Sequence, residues 1–201
     1  MAAELAAVGR RFYARGWAVG TSGNFSAVLA RRPLRLAITA SGLSKRELVA
    51  AEIIQCDEQG SPVPSSGKKP RRPSAETLLH VEIVRRRGAG AVLHTHSVWS
   101  TMLSERHASA GGLTIEGFEM LKGLEGVATH EHREWIPIID NDQNMPRLAG
   151  VVADTLASRP GAHAFLLRRH GLYTWGASLP EAERHVEILE FLFETIARSE
   201  L

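Results

Sequence analysis

The residues with the most chemistry in this 201-residue chain are its histidines, nine in all. His94-Thr95-His96 follows the apolar run Ala91-Val92-Leu93, which reads as a buried strand. Residues i and i+2 of a strand point to one face. Two imidazoles so placed can reach a single ion at about 2.0–2.1 Å. His170 ends a second apolar run, Ala164-Phe165-Leu166-Leu167, and precedes Gly171, which suits a side chain turned into a cleft. Three histidines with a fourth position left open is the arrangement of a catalytic zinc site. His80, His130, His132 and His163 compete for the third place, and spacing alone does not choose among them.

Two glutamates are candidates for proton transfer. Glu76 falls at the start of a helix, where it either complements the helix dipole or lies beside the metal. Glu119, in Gly117-Phe118-Glu119-Met120-Leu121-Lys122, either pairs with Lys122 on a helix surface or serves as general acid and base. The small-residue turns Gly20–Ser26, Ala40-Ser41-Gly42 and the one at Ser74 offer hydroxyls and free backbone N–H groups, which suit a phosphate. No Gly-x-Gly-x-x-Gly or Gly-Lys-Ser motif accompanies them.

Composition bounds the function classes. Hydrophobic residues make up 44% and charged residues 23%, as in ordinary globular domains, and the length suits one domain over 1–201. The net charge of +2 argues against nucleic acid as a partner. The one basic cluster, Lys68, Lys69, Arg71 and Arg72 in a proline-rich loop, reads as a solvated loop or as an attractor of anionic substrate. The single cysteine, Cys56, excludes an intramolecular disulfide and a cysteine-based zinc site. No signal peptide and no apolar stretch of membrane-spanning length is present, so the expected location is the cytoplasm.

The elements that would position these residues follow from periodicity and breakers. Helices are expected over 2–15, 75–87, 97–106 and 147–158, with a final one of about 20 residues opened by Pro180. A short helix is expected after Ser44, from its spacing to Glu47, and another over Glu116–Lys122. Strands are expected over 26–29, 34–39, 53–57, 91–95, 135–139, 164–167 and 172–175, with 107–115 a loop or short strand. Several connections are too short for parallel crossovers. The expected fold is therefore α/β, with a mixed, largely antiparallel sheet and helices on both faces.

The order Gly23-Asn24-Phe25-Ser26, Ile38-Thr39-Ala40-Ser41-Gly42, Pro73-Ser74-Ala75-Glu76, His94-Thr95-His96, Arg169-His170-Gly171 resembles the class II aldolase/adducin family over nearly the whole chain. Phe118-Glu119-Met120-Leu121-Lys122-Gly123, Pro137-Ile138-Ile139-Asp140-Asn141-Asp142-Gln143 and the run from Leu167 to Gly176 are most similar to a dehydratase branch of methionine salvage. The resemblance implies a three-layer α/β/α sandwich, one Zn2+ per subunit on His94, His96 and His170, and phosphate contacts from Asn24, Ser41, Gly42 and Ser74. It further implies a small phosphorylated sugar as substrate, a homotetramer with sites near subunit interfaces, Glu119 as acid/base and Glu76 as its neighbour at the metal site. Ser74-Ala75 departs from the paired serines of the aldolases, which would thin the phosphate contact there. Two other outcomes share the scaffold: an aldolase or epimerase using the same zinc site, and an adducin-like interaction module that has lost it. Phe118, Met120, Trp99 and Met102 serve either as an apolar pocket for a methylthio group or as core.

Overall fold

The apolar alternation of the strands produces one eight-stranded sheet. In the computed structural model, which describes residues 1–64 and 71–200, the strands are β1 (Asn24–Arg31), β2 (Leu34–Thr39), β3 (Ile53–Cys56), β4 (Ala91–Thr95), β5 (Gly112–Ile115), β6 (Glu134–Ile139), β7 (Ala164–Leu167) and β8 (Gly171–Gly176). Their order is β3-β2-β1-β4-β8-β7-β6-β5. Only β6 and β7 pair in parallel; the other pairs are antiparallel. That one parallel pair is joined by a helical crossover, the usual connection for the reach a parallel pair needs.

Helices α1 (Ala2–Ala14), α3 (Val98–Arg106) and α5 (Leu179–Ser199) cover one face, and α2 (Thr77–Arg87) and α4 (Met145–Ser158) the other. The expected sandwich with a largely antiparallel sheet is thus the observed one. Strand alternation divides the core. Phe165, Leu167 and Tyr173 pack toward α2 and α4, while Leu166 and Leu172 pack toward α3 and α5. On β4, Val92 belongs to the first set and Leu93 to a third cluster under α1. His94 and His96 continue the parity of Val92 and so face the α2 side. No helix among the described residues is long and apolar enough to cross a membrane.

Two expected helices are absent. After Ser44 the chain turns instead: the Arg46 N–H donates to Ser44 Oγ at 3.3 Å, and only a 3-10 turn follows at Ala50–Glu52. Lys45 is drawn inward there, its ammonium bonding the carbonyls of Leu43 and of the distant Thr21, and this tertiary contact replaces a helical turn. Over 116–122 only a 3-10 turn, Glu119–Gly123, forms, because Gly117 sits at φ +79°, outside the helical region. Of the basic cluster, Lys68 and Lys69 lie outside the described residues. Arg71 pairs with Glu52 at 3.4 Å, and the Arg72 carbonyl accepts from the Ser41 N–H at 2.9 Å. Trp99, Phe118 and Met120 pack on the core beneath α3 and α5.

A buried ion-paired cluster ties the β6 and β7 ends together. Glu134, 1% exposed, accepts from His163 Nδ1 at 2.9 Å and from His132 Nε2 at 2.8 Å. His163 Nε2 also donates to the Glu125 carbonyl at 2.8 Å, so both of its ring nitrogens face acceptors and the imidazolium is the form that fits. Burial alone would lower His163, with Arg87 adding to it, yet the hydrogen bond and charge of Glu134 hold it above its ordinary value. Burial would raise Glu134, but the hydrogen bond and charge of His163 and the hydrogen bond of His132 hold it below. Burial lowers His185, whose Nε2 accepts from the Glu125 N–H at 3.1 Å.

The sign of the pH effect follows. A raised His163 contributes fully below the ordinary histidine range and loses its contribution as pH climbs through the raised value; a lowered Glu134 contributes above the ordinary carboxylate range and loses it as pH falls. His163→Gln should therefore cost about 3 kcal/mol near pH 6. The gap between wild-type and variant melting temperatures should shrink as pH is raised above the ordinary histidine range. A constant gap across that range would show that the charge on His163 does not matter.

Candidate active site

The three candidate ligands arrive from two elements. His94 lies on β4, which runs in the centre of the sheet between β1 and β8, and His96 directly follows the last residue of that strand. His170 comes from the tight turn between β7 and β8. Their Nε2 atoms converge: 2.8 Å between His94 and His96, 3.1 Å between His96 and His170, and 3.3 Å between His94 and His170. His94 Nδ1 lies 2.8 Å from the Leu172 carbonyl, which fixes the N–H on that nitrogen and leaves Nε2 with its lone pair inward. Burial first, then His96 and His170, pushes His94 well below the ordinary histidine value. Burial, followed by the charges of His170 and Lys45, lowers His96 to about 3. Burial also lowers His170. Three neutral imidazoles aiming nitrogens at one point cannot all hydrogen-bond one another. Tetrahedral ligands at 2.0–2.1 Å from a common ion stand about 3.3 Å apart, close to the spacing seen, so this donor set fits Zn2+.

The His170 turn is held from several sides. Arg169 adopts φ +54°, a strained conformation for a side chain with a Cβ. Its N–H donates to Ser104 Oγ at 2.9 Å, and Thr101 Oγ1 donates to the His170 carbonyl at 3.1 Å, so α3 braces the turn. Arg168 and Arg169 both bond Glu105, at 2.7 and 2.6 Å. Gly171 passes so close to β4 that a Cβ there would lie 2.0 Å from the Thr95 carbonyl oxygen. Beneath the triad, Tyr173 stacks on His94 with centroids 3.9 Å apart.

Glu76, the residue just before α2, completes the group. Its Oε1 lies 3.3 Å from His170 Nε2 and 3.7 Å from His94 Nε2. Its Oε2 accepts from Asn24 Nδ2 at 2.6 Å. Asn24 Oδ1 in turn accepts from His80 Nε2, and His80 Nδ1 accepts from Ser26 Oγ at 2.7 Å. His80 therefore has both nitrogens committed and, lowered by burial to about 3, is a neutral link in a relay rather than a ligand.

Of the other sequence candidates, Asn24, Ser41, Gly42 and Ser74 line one pocket together with Glu76 and His96. The Asn24 amide also reaches Ser74 Oγ, at 3.3 Å, so much of its capacity is spent locally. Glu119 is not brought to the triad of its own chain. It is 70% exposed and pairs with Lys122, with His130 Nδ1 at 3.9 Å. His132 and His163 belong to the Glu134 cluster. Sequence reasoning missed the roles of Tyr173, His80 and Lys45; only Lys45, three residues past Gly42, carried a local signal. A larger groove of about 710 Å³, between α1 and the chain around Ser178, contains none of the triad.

A family model described as Class II Aldolase and Adducin N-terminal domain matches residues 3–197. The chain is 46% identical over 198 residues to a methylthioribulose-1-phosphate dehydratase of Methylococcus capsulatus, covering 98% of this chain and 93% of that one. It is 45% identical to one of Pseudomonas syringae pv. syringae, over 95% and 91%. Among solved structures, an L-fuculose-1-phosphate aldolase from Thermus thermophilus superposes with a TM-score of 0.75 at 26% identity, covering 100% of this chain and 97% of that one.

If the triad is a zinc site, Zn2+ at a hundredfold excess over Kd should stabilise the wild type by about 2.7 kcal/mol. His96→Ala should lose most of that gain. Gly171→Ala, which drives β8 off the Thr95 carbonyl, should lower zinc affinity at least about tenfold through a displaced His170. Melting curves with and without zinc, and competition with a chelator, read both; equal zinc affinity in His96→Ala would remove the triad as the site.

Proposed function

The chain belongs to the class II aldolase and adducin family, and from that membership and the triad we propose that it is a zinc-dependent lyase dehydrating 5-methylthioribulose 1-phosphate to 2,3-diketo-5-methylthiopentyl 1-phosphate in methionine salvage. The observation that carries the reading is the convergence of His94, His96 and His170 beside Glu76, in a chain about 45% identical to named dehydratases over nearly its full length. We further read the protein as a cytoplasmic homotetramer, with Asn24, Ser41, Gly42 and Ser74 around the substrate phosphate.

When bound by His94, His96 and His170, Zn2+ supplies Lewis-acid polarisation of the C2 carbonyl. That carbonyl makes the C3 proton acidic. A carboxylate removes the proton from C3 and, now protonated, returns it to the departing C4 hydroxyl, which leaves as water. The resulting enol relaxes to the 2,3-diketone, so the balance is one water lost and no redox change. We assign the transfer to Glu119 and a supporting position to Glu76. Glu76 already spends Oε2 on Asn24 and turns Oε1 toward two imidazoles, which suits a fixed negative charge at the metal site. Glu119, exposed on its own chain, would reach a triad across a subunit interface. The aldolase alternative differs in the bond broken, C3–C4 in place of C4–O.

Product analysis with purified enzyme and methylthioribulose 1-phosphate separates these. Release of a two- or three-carbon phosphate fragment would sink the dehydratase assignment. Glu119→Gln should lower kcat by at least about 100-fold with zinc retained, the size typical of a lost general acid/base. Glu76→Gln should disturb zinc affinity as well as rate. Mixing Glu119→Gln with His94→Ala subunits should restore activity if the two groups act in trans; full turnover by Glu119→Gln alone refutes the assignment.

A further inference from the structure

The pocket beside the triad contains a buried cation, Lys45, that no carboxylate among the described residues contacts directly. Lys45 is 1% exposed. Its ammonium donates to the carbonyls of Thr21 at 3.1 Å and Leu43 at 2.9 Å. An ammonium has three donors, so one remains. No carboxylate pairs with Lys45 among the described residues, and residues 65–70 contain no acidic side chain. Glu76 lines the same pocket but is turned to Asn24 and the imidazoles. A buried, unpaired ammonium is costly. Burial lowers Lys45 to about 8, the direction that cost demands.

The surroundings of that charge are those of an anion cradle. Thr21, Ser41, Gly42 and Ser74 line the pocket with Lys45. One carbonyl it bonds belongs to the Gly20–Ser26 turn and the other to Leu43, directly after the Ala40-Ser41-Gly42 turn, so Lys45 both joins the turns and sets its charge between them. We propose that Lys45 is a specificity-determining residue that pairs with the phosphate of the substrate, the ligand anion being the counter-charge this buried ammonium lacks. The proposal deepens the reading of the substrate as a phosphorylated ketose and rests on it, yet it concerns the phosphomonoester rather than the bond broken. The bland alternative is that Lys45 only staples the two turns. A staple would affect phosphorylated and unphosphorylated ligands alike, whereas a counter-charge would not.

Lys45→Met keeps the aliphatic stem and removes the charge; Lys45→Arg keeps the charge. With the zinc-loaded enzyme, calorimetry should show inorganic phosphate binding to the wild type and binding at least about tenfold weaker in Lys45→Met, the size expected for a lost hydrogen bond to a charged group. Lys45→Arg should retain part of the affinity. In turnover, Lys45→Met should raise KM for methylthioribulose 1-phosphate at least about tenfold with a smaller change in kcat. Its preference for that substrate over unphosphorylated methylthioribulose should fall by the same factor. Equal phosphate affinity in wild type and Lys45→Met overturns the proposal, as does an equal loss for both substrates. If the wild type does not turn over methylthioribulose 1-phosphate at all, the proposed reaction fails, while the phosphate titration still decides the role of Lys45.

Discussion

The Nε2 lone pairs of His94, His96 and His170 face one another across 2.8–3.3 Å, and much of the surrounding structure keeps them there. Neutral imidazoles in that arrangement repel unless a cation lies among them. The fold must therefore hold the ligands against their own electrostatics. It does so with backbone and short side chains rather than long flexible ones. β4 is fixed between two antiparallel neighbours, the Leu172 carbonyl orients His94, and α3 clamps the His170 turn through Ser104 and Thr101. The strained Arg169 and the glycine pressed on the Thr95 carbonyl are local costs of bringing His170 within reach of β4.

The opposite face of β4 repeats the logic with a carboxyl group. Thr95, between the two ligands, turns away from the triad and donates to Glu190 of α5 at 2.8 Å. Burial raises Glu190 to about 7, so the side chain is held near the point of protonation within the apolar packing of α5. On the triad side, the Ser26–His80–Asn24–Glu76 relay draws on β1, α2 and the residue preceding α2. Thr95 on one face bonds Glu190 and His94 on the other bonds the Leu172 carbonyl, which fixes the register of β4 more sharply than apolar packing alone would.

Much of this was legible from the sequence, for identifiable reasons. Period-2 alternation and glycine or proline breakers gave the sheet and the long helices, because those signals are local. The His-x-His pair was readable for the same reason. His170 was singled out by the Gly after it, and the structure supplies the cause: no side chain fits against the Thr95 carbonyl. The short helix expected after Ser44 was misread because Ser44 and Glu47 match a capping pattern, while the deciding contacts of Lys45, to Thr21 and Leu43, include one 24 residues away. The His80 relay was hidden likewise, since Ser26, Asn24 and Glu76 come from distant segments. Glu119 was readable by motif, but its exposed place beside Lys122 depends on tertiary structure.

Charge accounting links the pocket to its ligands. The protomer's site holds three neutral imidazoles, the Glu76 carboxylate and the Lys45 ammonium, which sum to zero. A divalent cation alone would leave two uncompensated positive charges in a largely buried cleft. A phosphate dianion alone would leave two negative ones. Loaded together they cancel, with the cation next to Glu76 and the dianion next to Lys45, each beside the protein charge of opposite sign. Buried charge is tolerated when it is paired and hydrogen-bonded. A site built this way favours occupation by metal and phosphorylated ligand at once, and it disfavours an uncharged sugar that would leave Lys45 unpaired. Selection for a phosphorylated substrate then follows from the same constraint that holds the histidines together: no charge in this cleft is left without its partner once the site is full.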